Sequence, residues 1–286
     1  MGRRVFVAAA TLLLVGVFGT SGASAHTSST FCKNGSLIGE VSGNVTVEGF
    51  CELGEAPGYR PGATITGNVF VKPGGELFVS SFEQEQAITI EGSITAMHGS
   101  VFLYTHEGGP VTVDGSVHAT DPLNIVGVTG SLTHVHGSVS VSGGTGSFFM
   151  APNYVAKESP VVDGNVRVTG MTGCPEFFRI EDAIIGGRLA IGKNHLEGCG
   201  RSVEAIGNSV GGDLRVFENV TTGSPPLEVG QNHVGHNLNV HANVASKIDV
   251  FENTVTNELI CAGNSPAPEV VGNTAARTLG QQCKAL

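Results

Sequence analysis

Apolar residues in this chain alternate with polar ones in a short phrase that returns about every 24 residues. The phrase reads apolar, any residue, Gly, small or polar, apolar, any residue, apolar. Val41-Ser42-Gly43-Asn44-Val45-Thr46-Val47, Ile65-Thr66-Gly67-Asn68-Val69-Phe70-Val71 and Val113-Asp114-Gly115-Ser116-Val117-His118-Ala119 are three of its copies. Aligned on the central slot, the copies place Gly43, Gly67, Gly92, Gly115, Gly137, Gly164, Gly187 and Gly212 in one column, followed by His236 and Asn257. The steps between them run 24, 25, 23, 22, 27, 23, 25, 24 and 21 residues, and the variation belongs in loops.

Three columns around the slot are apolar throughout. Two residues before it stand Val41, Ile65, Ile90, Val113, Val135, Val162, Ile185, Val210, Val234 and Val255. Two residues after it the series runs from Val45 to Leu259, and four after it from Val47 to Cys261. Apolar residues at period two, with mixed polar residues between, mark strands with one buried face. A fixed period in this range marks a stacked repeat. The expected fold is all-β, a single-stranded parallel β-helix (β-solenoid) of about ten coils. At about 4.8 Å per coil the rod is on the order of 50 Å long. The slot interrupts the alternation once per coil, which suggests a corner residue at positive φ; Asn257 fits because Asn tolerates that region.

Two series of Asn recur in the C-terminal third. Asn194, Asn219, Asn243 and Asn264 form one, and Asn208, Asn232 and Asn253 the other. Identical amides stacked at strand spacing can hydrogen-bond along the stack, so these residues read as structural. The leucine-rich repeat phrase matches only in part, because Gly186, Gly211 and Gly235 stand where that repeat needs a further Leu.

The phrases Gly207-Asn208-Ser209-Val210-Gly211-Gly212-Asp213-Leu214 and Cys261-Ala262-Gly263-Asn264-Ser265-Pro266-Ala267-Pro268 resemble those of right-handed parallel β-helix proteins, more narrowly the secreted β-helix repeat proteins of Gram-positive bacteria. More distantly the chain resembles bactofilin-like β-helices, which are cytosolic and polymerise end to end. The resemblance covers roughly residues 37 to 283 and implies a fold rather than an activity.

Residues 1–25 read as a signal peptide: Arg3 and Arg4 precede an apolar Val5–Phe18 core, and Ala23-Ser24-Ala25 ends in a small-x-small cleavage site before His26. The remainder, 26–286, reads as one β-helix domain with an N-terminal cap 26–40, coils 41–261 and a C-terminal cap 262–286. A secreted, extracellular protein is expected. Loss of Arg3 and Arg4 takes the formal charge from −10 to −12, which excludes the basic footprint of a nucleic-acid binder. No later stretch is apolar enough to span a membrane. Cys32, Cys51, Cys174, Cys199, Cys261 and Cys283 are even in number. Their sequential separations of 19, 25 and 22 residues are each near one period, which pairs them as Cys32–Cys51, Cys174–Cys199 and Cys261–Cys283.

Candidate chemistry lies in outward columns. Glu91, Asp114, His136 and Asp163 precede the slot on consecutive coils, with His118 and His134 nearby. Such a column suits a divalent cation, calcium or zinc, or else is an ordinary solvated face. The long step between Gly137 and Gly164 suggests an inserted loop, Ser142 to Pro160, with Phe148, Phe149 and Tyr154, beside a loop carrying Phe177 and Phe178. Those aromatics suit a partner surface or a cover for one flank. Three functions are compatible. The first is a structural or binding element at the cell surface, with cell-wall or extracellular polysaccharide as partner. The second is a polysaccharide lyase or hydrolase using Asp163, Arg167 and Arg215, and the third a self-assembling scaffold. With no Trp and three Tyr the chain is poor in the usual sugar platforms, so no catalytic residue is assigned.

Overall fold

The computed structural model describes residues 29–54, 62–81, 87–105, 108–152, 159–197, 202–223 and 226–284. The signal-peptide segment 1–25 lies outside them. The chain is an all-β parallel solenoid of about nine turns. Its strands form sheets of 21, 11 and 3 strands, in which the pairings between successive coils are parallel. Among the described residues no helix is long and apolar enough to cross a membrane.

One coil shows why the phrase repeats. Ala63–Ile65 and Val69–Val71 are two strands of the large sheet, hereafter the first face, joined by a bend at Gly67; Glu76–Ser81 follows on the 11-stranded second face. The small third sheet holds Thr172–Gly173, His195–Glu197 and Val220–Thr222. Parallel in-register pairing sets each apolar residue over its equivalent: Val45 over Val69 over Ile94 over Val117. The three apolar columns point inward and form one continuous core with Leu77, Leu103, Phe148, Met150 and Ile180 from the second face. Pairing continues into the terminal segments. Ser29–Cys32 pairs with Asn44–Val47, and Thr254–Ala262 pairs with Thr274–Leu279. Disulfides Cys32–Cys51 and Cys261–Cys283 join these segments to the coils, with Cα atoms 5.7 and 5.0 Å apart. The middle pairing rests on Cys199, which lies outside the described residues; Cys174 is exposed and forms no disulfide among them.

The slot glycines do not act as the sequence suggests. Gly43 alone of that column has a positive φ, at 84°. From Gly67 onward the column is needed because successive backbones approach closely. A Cβ on Gly137 would lie 2.5 Å from the carbonyl oxygen of Gly115, and one on Gly187 would lie 2.7 Å from that of Gly164. These contacts leave no room for a side chain. The closeness serves an axial hydrogen-bond chain, in which the amides of Gly115, Gly137, Gly164, Gly187 and Gly212 each donate to the slot carbonyl of the preceding coil at 2.8–3.0 Å. His236 continues it at a longer 3.2 Å. Asn257 extends it, donating to the His236 carbonyl at 3.0 Å; there Thr254–Ala262 is one nine-residue strand whose register shifts between Val255 and Glu258. The small polar residue after the slot adds a parallel chain. Asn44 Oδ1 accepts from the amide of Asn68, Asn68 Oδ1 from Ser93, Ser93 Oγ from Ser116, and Ser116 Oγ from Ser138.

Positive φ appears one residue before each laddered Asn, at Lys193, Glu218, Ala242 and Gly263, and at Gly207, Gln231, Glu252 and Gly272. Both ladders form. Asn194 donates to Asn219, Asn219 to Asn243 and Asn243 to Asn264, at 2.8, 2.9 and 3.0 Å. The second ladder runs Asn208, Asn232, Asn253 at 2.9 Å per step. Each ends on a residue the sequence reading missed: Gln282 for the first and Asn273 for the second. Asn273 was legible in Gly272-Asn273, which repeats Gly207-Asn208. Gln282 was not, because it is one methylene longer and comes from the 3₁₀ turn Gln281–Cys283.

Candidate functional site

Two outward features stand apart from the scaffold. The first is on the first face. Thr133 and Val135 point into the core, so His134 and His136 point out. Register places Asp114 beside His136 on the preceding coil and Asp163 beside it on the following one, through Val113 opposite Val135 opposite Val162. Asp163 Oδ1 lies 2.9 Å from His134 Nε2, and its Oδ2 lies 2.8 Å from His136 Nδ1. His136 Nε2 faces Asp114 Oδ1 at 3.9 Å. The hydrogen bonds from His134, then His136, hold the Asp163 carboxyl below the usual Asp range. His134, His136 and Asp163 are the described residues whose ligand atoms all fall within 4.8 Å of one another. Of the expected column, then, His136 and Asp163 come together with Asp114 near, His134 joins them, and Glu91 stands outside that group. His118 is drawn instead to Ser140 Oγ at 2.7 Å.

The second feature is a column along the outside of the second face: Glu52, Phe78, Phe102, Gly127, Phe149, Arg179, Glu204, Glu228, Asp249 and Glu269 stand on successive coils. Its N-terminal half is aromatic. Ring centroids step from Phe50 to Phe78 at 6.5 Å, to Phe102 at 5.1 Å, to Phe149 at 5.5 Å and to Phe177 at 5.7 Å. Arg179 covers the Phe177 ring at 5.7 Å, and Tyr104 stacks beside Phe102 at 5.6 Å. The Phe102 and Phe149 rings meet across an intervening coil because that coil carries Gly127, where a Cβ would strike Phe102 at 2.5 Å and Phe149 at 3.2 Å.

This corrects the expected aromatic loop. Ser147–Ala151 is a strand whose alternation buries Phe148 and turns Phe149 out. Phe178 begins another strand and is buried, while Phe177 is half-buried. Tyr154 lies outside the described residues. Phe50, Phe78, Phe102 and Tyr104 were missed because loop lengths vary between faces and obscure the register. Phe50, 45% exposed, leaves the stripe open at one end.

The C-terminal half of the column is acidic. Burial, then a hydrogen bond shared with Glu204, pushes the Glu181 carboxyl up to about 7. Burial raises Glu228 as well, with Glu204 and Asp249 repelling its charge. Arg179 answers Glu181 at 3.4 Å, and Lys247 bridges Asp249 and Glu269 at 3.0 and 3.1 Å. Between about pH 4.5 and 7 the folded chain holds a proton on Glu181 that the unfolded chain has released, so this group's contribution makes stability fall as pH rises through that window. Glu181→Gln is therefore expected to melt higher than the parent at pH 8 and to match it at pH 4.5. Melting curves at the two pH values test this; an equal difference at both would refute it.

Two of the three residues weighed for hydrolysis have other partners: Arg215 pairs with Asp213 at 2.9 Å, and Asp163 is held by the two histidines. No protein-family model, curated protein or solved structure matches the chain.

Proposed function

We propose that this protein is a secreted binding solenoid that engages extracellular or cell-wall polysaccharide through its second face, without catalysis. The observation that carries this reading is the half-buried aromatic stripe Phe50–Phe78–Phe102–Phe149–Phe177. Rings ordered on a rigid sheet present apolar area at little entropic cost, as binding anchors do. Spread over six coils at about 4.8 Å each, the stripe extends about 24 Å. That straight, repeating shape favours a linear polymer over a compact ligand. Glu76 and Asn124, hydrogen-bonded at 3.2 Å on the stripe's flank, offer polar atoms to hydroxyl groups. The two disulfides fit the oxidising space outside the cell.

The test is co-sedimentation of the purified protein with cell walls and a panel of insoluble polysaccharides, with an assay of the supernatant for new sugar ends. Saturable pelleting without released sugar is expected. The Phe78→Ala/Phe102→Ala variant should need at least about tenfold more polymer to pellet, since aromatic anchors are typically worth more than 1.4 kcal/mol each. Released sugar would replace this reading with an enzyme. Absence of pelleting, with concentration-dependent elongation, would replace it with a self-assembling scaffold.

A further inference from the structure

We infer that His134, His136 and Asp163 form a binding site for one divalent transition-metal ion of the zinc class, with Asp114 orienting His136 from behind. The inference is independent of the polysaccharide reading, because these residues lie on the other large face.

The donor set selects the metal. Two imidazole nitrogens and one carboxylate oxygen match zinc and its neighbours, whereas calcium and magnesium take oxygen ligands. His134 lies in the strand Thr133–Val135 and His136 just past its end, two residues on, and their rings stand together with centroids 4.0 Å apart. Asp163 comes from the next coil, fixed by the pairing of Val161–Val162 with His134 and Val135. Its two oxygens already reach His134 Nε2 and His136 Nδ1 at 2.9 and 2.8 Å. Two ligands each about 2.0 Å from one tetrahedral ion lie about 3.3 Å apart. Each of those two pairs would need to part by only a few tenths of an ångström; the two ring nitrogens, which lie within 4.8 Å of each other, would then have to turn toward a shared centre with one carboxylate oxygen. Three protein ligands leave the fourth position to water.

His136 accounts for both of its nitrogens. With Nδ1 toward the ion, Nε2 carries the proton and faces Asp114 Oδ1, 3.9 Å away, a gap that the ring must close by about 1 Å to make a hydrogen bond. A carboxylate behind a ligating imidazole fixes its tautomer and raises its basicity. The ion would also tie strands of consecutive coils together on a surface exposed enough for exchange with solvent; the side chains of His134, His136 and Asp163 are 35%, 44% and 50% exposed. No burial penalty opposes the site, and Asp163 and Asp114 together neutralise the ion's charge.

The experiment is calorimetric titration of chelator-treated protein with ZnCl₂ and, separately, CaCl₂ at pH 7.5. One zinc per chain is expected, with no calcium heat above buffer. His134→Ala/His136→Ala should abolish zinc binding while melting as the parent does without metal. Asp114→Asn should weaken it roughly 10- to 100-fold, as loss of such an orienting carboxylate typically does. Should the double variant not fold, Co²⁺ added to the parent protein decides: an intense visible spectrum supports a four-coordinate nitrogen and oxygen site. The weak spectrum of hydrated Co²⁺, the absence of zinc heat, zinc binding retained in the folded double variant, or calcium bound as tightly as zinc would each overturn the site.

Discussion

Asn232→Ala is expected to lower the stability of the fold by about 3 kcal/mol, and the melting temperature by roughly 6–12 °C. The side chain is fully buried and makes four hydrogen bonds. Its oxygen accepts from the Asn208 backbone amide and from Asn208 Nδ2 at 3.0 and 2.9 Å. Its nitrogen donates to Asn253 Oδ1 and to the Ala205 carbonyl at 2.9 and 2.8 Å. Truncation leaves the Asn208 amide without an acceptor inside the protein, which costs about 1–3 kcal/mol for each orphaned group. Asn232→Asp should be harmful too, since a carboxylate cannot donate to Asn253 and Ala205. Asn124→Ala, at an exposed residue, serves as control and should stay within about 0.5 kcal/mol of the parent. Thermal melts of the three variants decide; Asn232→Ala melting with the control would refute a structural role for the ladder.

Gly164→Ala is expected to destabilise by roughly 1–3 kcal/mol or more, the usual range for forcing atoms into a packed site. The added methyl would lie 2.5 Å from Ser138 Oγ and 2.6 Å from the Gly137 carbonyl oxygen. A backbone carbonyl fixed by the axial hydrogen-bond chain cannot rotate away, so the coils must part. Gly35→Ala, where a Cβ meets nothing within 4 Å, should be near neutral. Asn separates crowding from backbone conformation. At Gly164 it should be at least as harmful as Ala. At Gly170, with φ at 73° and no contact closer than 3.5 Å, Asn should be the milder replacement because it tolerates the left-handed region. The reverse order at Gly164 would restore the positive-φ account of the slot.

The sequence reading succeeded where one residue type recurs at one place on every coil. The three valine-rich columns repeat in that way along the rod and the Asn ladders along its C-terminal third, because in-register parallel stacking selects the same side chain again and again; the two terminal disulfides were legible because each joins cysteines about one period apart. The reading failed where the reason for a residue lies in the neighbouring coil rather than in its own chain. A glycine kept for positive φ and one kept because another backbone presses on it look alike in sequence, so the positive φ was assigned to Gly137 and its equivalents when it belongs to residues such as Lys193 and Gln231. The aromatic stripe and the Glu204–Glu228–Asp249–Glu269 series change residue type along the column and are separated by segments of unequal length. Their common register emerges only once the strands are paired. His134 escaped the cation column for a related reason: it lies two residues from His136 along the chain, whereas the column was read across coils.

The axial hydrogen-bond chains have a consequence for how such a molecule can vary in size. Each coil offers backbone donors and acceptors to the coil before it and to the coil after it, so an added coil finds partners on both sides. A duplication of whole periods therefore lengthens the rod and leaves its cross-section intact. An insertion of one residue within a strand turns the buried side chains outward for the rest of that strand. Length in this architecture is quantised, and its unit is the coil.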